Sequence, residues 1–143
     1  MGAPDVEEHD MPKFLLLMNY AEIEGVPPIT EWSPEDIKTH IDFQHELGQE
    51  LTAAGEFVDG QGLAGPESAK IVTFRGQGAP VVTDGPFLES KEFLAGYWMV
   101  DVENEARAIE IAAKASAAPG PDGVPIGQQI EVREVMSAPS VEQ

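Results

Sequence analysis

The stretch SPEDIKTHIDFQHELGQELTAAG, residues 33–55, constrains the fold more than any other part of the chain. Ser33 stands where an N-cap is needed, Pro34 suits the first helical position, and Glu35 and Asp36 favour the positive end of a helix. Ile37, Ile41, Leu47 and Leu51 fall on one stripe at about 100° per residue, and Gly55 supplies the stop. A helix with one apolar stripe must bury it, so the neighbouring segments decide the architecture.

Upstream, KFLLLMNY (residues 13–20) is short, apolar and bounded by loop signals, which predicts a buried strand. Gly25 and Pro27-Pro28 break the connection to the helix. Downstream, EFVDGQGL and AKIVTFR predict two strands separated at Gly65-Pro66, PVVTDG a short strand and AGYWMVDV a longer one. NEARAIEIAAKASAA (residues 104–118) predicts a second, Ala-rich helix capped by Asn104. PGPDGVPIG is a loop, and QIEVREVM, with Ile130, Val132 and less cleanly Val135, predicts a closing strand. Residues 1–11 are polar and acidic and predict a mobile extension, residues 12–136 one domain, and residues 137–143 a polar tail.

The order strand, helix, strands, helix, strand predicts an α+β fold with two helices on one face of a mainly antiparallel sheet. Two helices leave the other face open. A homodimer that buries it, using part of the apolar run 97–102, is the simplest solution.

Charge narrows the partners. With 26 acidic and 8 basic residues the net charge is −18. That argues against direct nucleic-acid binding through phosphates and against an anionic membrane surface. Such charge serves solubility, and a basic protein partner is the sharper alternative. Cysteine is absent, which excludes disulfide and thiolate chemistry. No apolar run approaches the roughly 18 residues of a membrane helix. The N-terminus lacks the pattern of a signal peptide, so the cytoplasm is the expected location. No metal and no cofactor are expected. His40 and His45 are five apart and share no helix face, and the glycines Gly60, Gly62 and Gly65 lack the Lys and following helix of a phosphate-binding loop. GQGLAG reads instead as a bent strand and turn.

The stretch VVTDGPFLESKEF raises the functional question. Asp84-Gly85 is a turn signal, and Pro86 restricts Gly85 and removes a backbone donor. In one reading this is a connector, with Pro86 and Phe87 buried and Phe87 plugging the core. In the other it is the rim of a site, because a rigid corner would hold the Asp84 carboxylate as proton transfer requires. Lys91, between Glu89 and Glu92, is expected to be paired and partly buried beside Asp84, ordering the turn.

TDGPFLESKEFLAGYWMVDV, with Asp84-Gly85-Pro86-Phe87, Glu89, Lys91-Glu92, Gly96 and the run 97–102, resembles the signature of the DGPF-domain proteins of the YCII-related family. KFLLLMNY, the helix start SPED, and AAG followed by GQGL are similar as well, and the resemblance covers residues 12–136. It implies a ferredoxin-like fold assembled as a dimeric α+β barrel, in agreement with the open sheet face. It implies no defined biochemical role. Some members are linked to extracytoplasmic-function sigma factors, and the wider family has been proposed to be enzymatic on account of a His–Asp pair in a cleft. The slot for that His in the first helix holds Gln44 here, which is neither acid nor base. His40, one turn earlier and near the stripe, is the substitute, with a core histidine as the alternative; His45 is expected on the solvent side.

Two readings follow. In the first, a small dimeric protein has a small-molecule cleft near the turn, between the sheet and the first helix. Asp84 and His40 are its catalytic candidates, and Tyr20, Gln44 and Lys91 its ligand-binding candidates. In the second, the chain is a non-catalytic interaction module that docks a partner such as a sigma factor.

Overall fold

A computed structural model describes residues 11–19, 23–85 and 93–137. Its elements are β1 (Lys13–Asn19), α1 (Pro34–Ala53), β2 (Phe57–Gly62), β3 (Lys70–Thr73), β4 (Val81–Asp84), β5 (Leu94–Asp101), α2 (Glu105–Ser116) and β6 (Ile130–Glu134). The expectations for residues 1–10, Tyr20, Pro86, Phe87, Glu89, Lys91, Glu92 and residues 138–143 lie outside the described residues.

Local chemistry sets both helix starts. The Ser33 hydroxyl accepts the Asp36 N–H at 3.1 Å, with Pro34 in the first turn. The Asn104 side chain accepts the Arg107 N–H at 3.0 Å. Gly55, at φ +76°, takes the left-handed conformation that ends α1.

Four strands form one antiparallel sheet in the order β2-β5-β1-β6. β1 and β2 flank β5 and so run parallel to each other, joined over α1. β5 and β6 flank β1 in the same way, joined over α2. Two interleaved β-α-β units of this kind are the ferredoxin-like topology. β3 and β4 pair only with each other, in a hairpin inserted between β2 and β5.

Pairing places Phe14 beside Val100, Leu16 beside Trp98 and Val132, and Met18 beside Gly96 and Ile130. This face carries the core: Phe14, Leu16, Trp98, Val100 and Val102 pack against Leu47 and Leu51 of α1 and Ala108, Ile111 and Ala112 of α2. The alanines let α2 lie close to β1 and β6. Leu15, Leu17, Tyr97 and Met99 point to the other face, which neither helix covers.

The inward face of α1 is rotated from the expected stripe. Leu47 and Leu51 are buried and Phe43 packs against them, but Ile41 is 42% exposed. At about 100° per residue Ile41 lies roughly 120° round the helix from Leu47 and about 20° from Gly48, on the side where α1 stands away from the sheet.

Gly96 marks the tightest strand approach. A Cβ there would stand 2.9 Å from the Gln61 carbonyl oxygen and 3.2 Å from Met18 Cε. Gly96→Ala is expected to destabilise the fold by about 1–3 kcal/mol, measured by urea denaturation, because the backbone oxygen has no room to yield.

Candidate functional site

Strand β2 should fill the space beneath α1, but it lacks the side chains to do so. Its positions on the helix side are Phe57, Gly60 and Gly62, opposite Val100, Trp98 and Gly96. The α1 residue above Trp98 is Gly48. Side chains are therefore missing from both walls, and a cleft of about 640 Å³ opens between α1 and strands β2 and β5. The strand ends at Gly62, within the expected bent strand and turn. The irregularity lies earlier, between Phe57 and Asp59, and pairing with β5 continues through Gly62.

Apolar and aromatic groups make up much of the lining: Met18, Ala53, Phe57 and Trp98. Phe57 and Trp98 meet edge to face, with centroids 6.2 Å apart and planes at 82°. The polar lining is formed by Gln44, Gln49, Gln61, Thr52 and His45. Among the described residues no Asp, Glu, Lys or Arg lines the cleft, in a chain of net charge −18.

Of the sequence candidates, Gln44 lines the cleft. His40, one turn away, does not. Its Nδ1 lies 3.0 Å from the Pro119 carbonyl oxygen, which requires the proton on Nδ1, and its ring meets Trp32 edge to face at 5.4 Å. Trp32 in turn donates to the Pro27 carbonyl at 2.8 Å. These contacts tie two loops to the start of α1. Asp84 does not line the cleft either. Its side chain is 92% exposed, at the end of the hairpin, and takes a hydrogen bond from Lys70 at 2.8 Å. The expected burial of Asp84 is corrected accordingly: every β3 and β4 position is exposed, so among the described residues the strand end has nothing to bury it. Gly85 has a packing role, since a Cβ there would stand 2.7 Å from Ala69 Cβ and 2.9 Å from the Pro66 carbonyl oxygen. Tyr20 and Lys91 lie outside the described residues.

Sequence reasoning missed Trp98, Phe57 and the three glycines as parts of one site, and it set His45 aside as solvent-facing. His45 is exposed and also lines the cleft. The available signal was Gly60 and Gly62 two apart in a strand, the spacing that leaves one face without side chains. Among the described residues no group of three or more His, Cys, Asp or Glu is placed to hold a metal ion.

On the open sheet face, beside the cleft, the Tyr97 hydroxyl donates to Asp59 Oδ2 at 2.8 Å. That hydrogen bond, helped by the Gly60 N–H, holds the Asp59 carboxyl below its ordinary range and raises the Tyr97 phenol. The stabilisation from Asp59 is thus present above its unfolded pKa and lost as pH falls through the lower folded value. That from Tyr97 is present below its unfolded pKa and lost as pH rises through the higher folded value. Tyr97→Phe should move the Asp59 titration midpoint upward, followed by carboxyl-carbon NMR. An unchanged midpoint would show that the phenol does not set it.

A family model described as the YCII-related domain matches residues 13–137. No curated protein matches the chain. The matched span takes in the whole four-stranded sheet, both helices and the cleft between them, and the chain belongs to the YCII-related family.

Proposed function

We propose that this chain binds a small molecule in the cleft between α1 and strands β2 and β5, and that it does so as a homodimer. The observation that carries the reading is the apolar-walled space of about 640 Å³ left by Gly48, Gly60 and Gly62. Ligand sites are typically about 300–1,000 Å³, mostly apolar, with a few polar groups to fix orientation. Binding is favoured over catalysis because no carboxylate accompanies His45 among the described lining residues.

A thermal-shift screen against a metabolite library tests this. A ligand at about a hundred times its Kd adds roughly 2.7 kcal/mol, which for a domain of this size is about 5–10 °C. A Cβ on Gly62 would meet nothing within 4 Å. Gly62→Leu should therefore fold like the parent, fill the cleft and abolish the shift. Shifts that persist in Gly62→Leu would place the ligand elsewhere.

The dimer rests on the open sheet face. Leu15, Leu17, Tyr97 and Met99 form its apolar centre, and Lys13, Asp59, Asp101, Glu131 and Arg133 surround them. Asp101 Oδ1 on this face is buried without a hydrogen-bond partner among the described residues, an unmet demand that a second copy could satisfy. Leu17→Glu should give a folded monomer, because Leu17 is only half-buried in one chain. Sedimentation of the parent as a monomer at micromolar concentration would rule the dimer out.

A second reading, a module that docks a protein such as a sigma factor, is favoured by the β3–β4 hairpin. Ile71, Val72, Phe74, Val81 and Val82 are all exposed there, Phe74 by 64%. Loss of sigma-factor capture on Val72→Lys, with ligand shifts retained, would support it.

A further inference from the structure

We infer that the cleft takes a planar, uncharged aromatic compound bearing a hydrogen-bonding group; this rests on the reading of the cleft as a binding site. The floor of the cleft is the first reason. The six-membered ring of the Trp98 indole lies between the two walls: a Cβ on Gly48 would stand 3.8 Å from its Cζ3, and one on Gly60 3.6 Å from its Cε3. Both walls therefore meet that ring with backbone rather than side chains, and Trp98 itself is only 8% exposed, so the room in the cleft lies beside the ring.

The second reason is the corner at one side of the slot. Phe57 stands at 82° to Trp98 and is 37% exposed. Two perpendicular rings offer a face and an edge together. A third aromatic ring entering the cleft can meet Phe57, the more exposed of the two, gaining quadrupole attraction that a saturated ring of the same size lacks.

Charge is the third. A net charge of −18 raises the energy of an anion throughout the neighbourhood, and no Lys or Arg among the described lining residues offsets it. A buried cation would need a counter-ion, and no Asp or Glu lines the cleft among the described residues. The amides of Gln44 and Gln49 supply uncharged donors and acceptors instead, which suits a hydroxyl or carbonyl on the ligand.

Titration calorimetry of the full chain with 2-naphthol, its saturated counterpart decahydro-2-naphthol and the anion 2-naphthoate tests the inference. The expected result is 2-naphthol binding about tenfold more tightly than either of the others, the size of one well-placed aromatic contact. Phe57→Leu should remove most of that preference while leaving decahydro-2-naphthol unchanged, and Gly62→Leu should abolish binding. Equal affinity for the saturated compound, or tighter binding of 2-naphthoate, overturns the assigned ligand class and leaves the cleft reading standing. No binding by any of the three, or binding that survives Gly62→Leu, overturns both.

Discussion

The alternation of β5 governs the whole molecule. Gly96, Trp98, Val100 and Val102 turn beneath the helices, while Tyr97, Met99 and Asp101 turn to the open face. β5 is bonded on both sides, to β1 and to β2, so its register fixes theirs. A slip of one residue would exchange the two faces, exposing Trp98 and Val100 and burying Asp101. Both interaction surfaces argued above inherit their positions from this one strand. Trp98 forms the floor of the cleft, and Tyr97 and Met99 the centre of the sheet face that a second copy would cover.

The two helices use the sheet differently. α2 lies on β1 and β6 through Ala108, Ile111, Ala112 and Ala115, with Ile130 and Val132 filling the space below. α1 lies over β2, where Gly60 and Gly62 fill nothing. A gap of that kind would close if α1 were free to settle into it. It is held at both ends instead. At its start, His40 is tied to Pro119 and packed against Trp32. At its end, Glu56 takes two hydrogen bonds from Arg107, at 2.8 and 2.9 Å, and its carbonyl accepts the Asp101 N–H at 2.8 Å. The cleft-lining part of α1, Gln44 to Ala53, spans the gap between these two anchors. The Arg107 guanidinium is held more firmly charged than usual by Glu56 and then by Glu110.

The fold was largely legible in the sequence because its signals are local. Ser33-Pro34, Asn104 and Gly55 mark helix ends through bonds to residues a few positions away, and the strands read from short apolar runs. The family was legible from a long motif. The site was not, for two reasons. It is made by absences, and glycine in a strand equally signals a bend, a bulge or a close approach. Choosing among these requires knowing that Gly60 and Gly62 face α1 rather than solvent, which only the register against β5 decides. The rotation of α1 was hidden in the same way. Ile37, Ile41, Leu47 and Leu51 span about 120° of the helix, and only the packing of Phe43 beside Leu47 and Leu51 shows which part of that arc goes inward.

Charge and surface chemistry connect these features. A chain with 26 acidic and 8 basic residues repels its own copies at long range, so any contact between copies must form where carboxylates are few or matched. Two regions meet that condition. On the open sheet face Lys13 stands opposite Asp101 in register, and Arg133 lies near Glu131 with 3.9 Å between charged atoms, so the acidic groups there are not alone. In the β3–β4 hairpin Lys70 pairs with Asp84, and Arg75 follows Phe74 at the tip, leaving a nearly neutral, apolar arm on an acidic body. Exposed pairs of this kind add little stability, about 0–1 kcal/mol. Their effect is to cancel repulsion locally, so that around apolar side chains such as Leu17, Met99 and Val72 the acidic surface is interrupted.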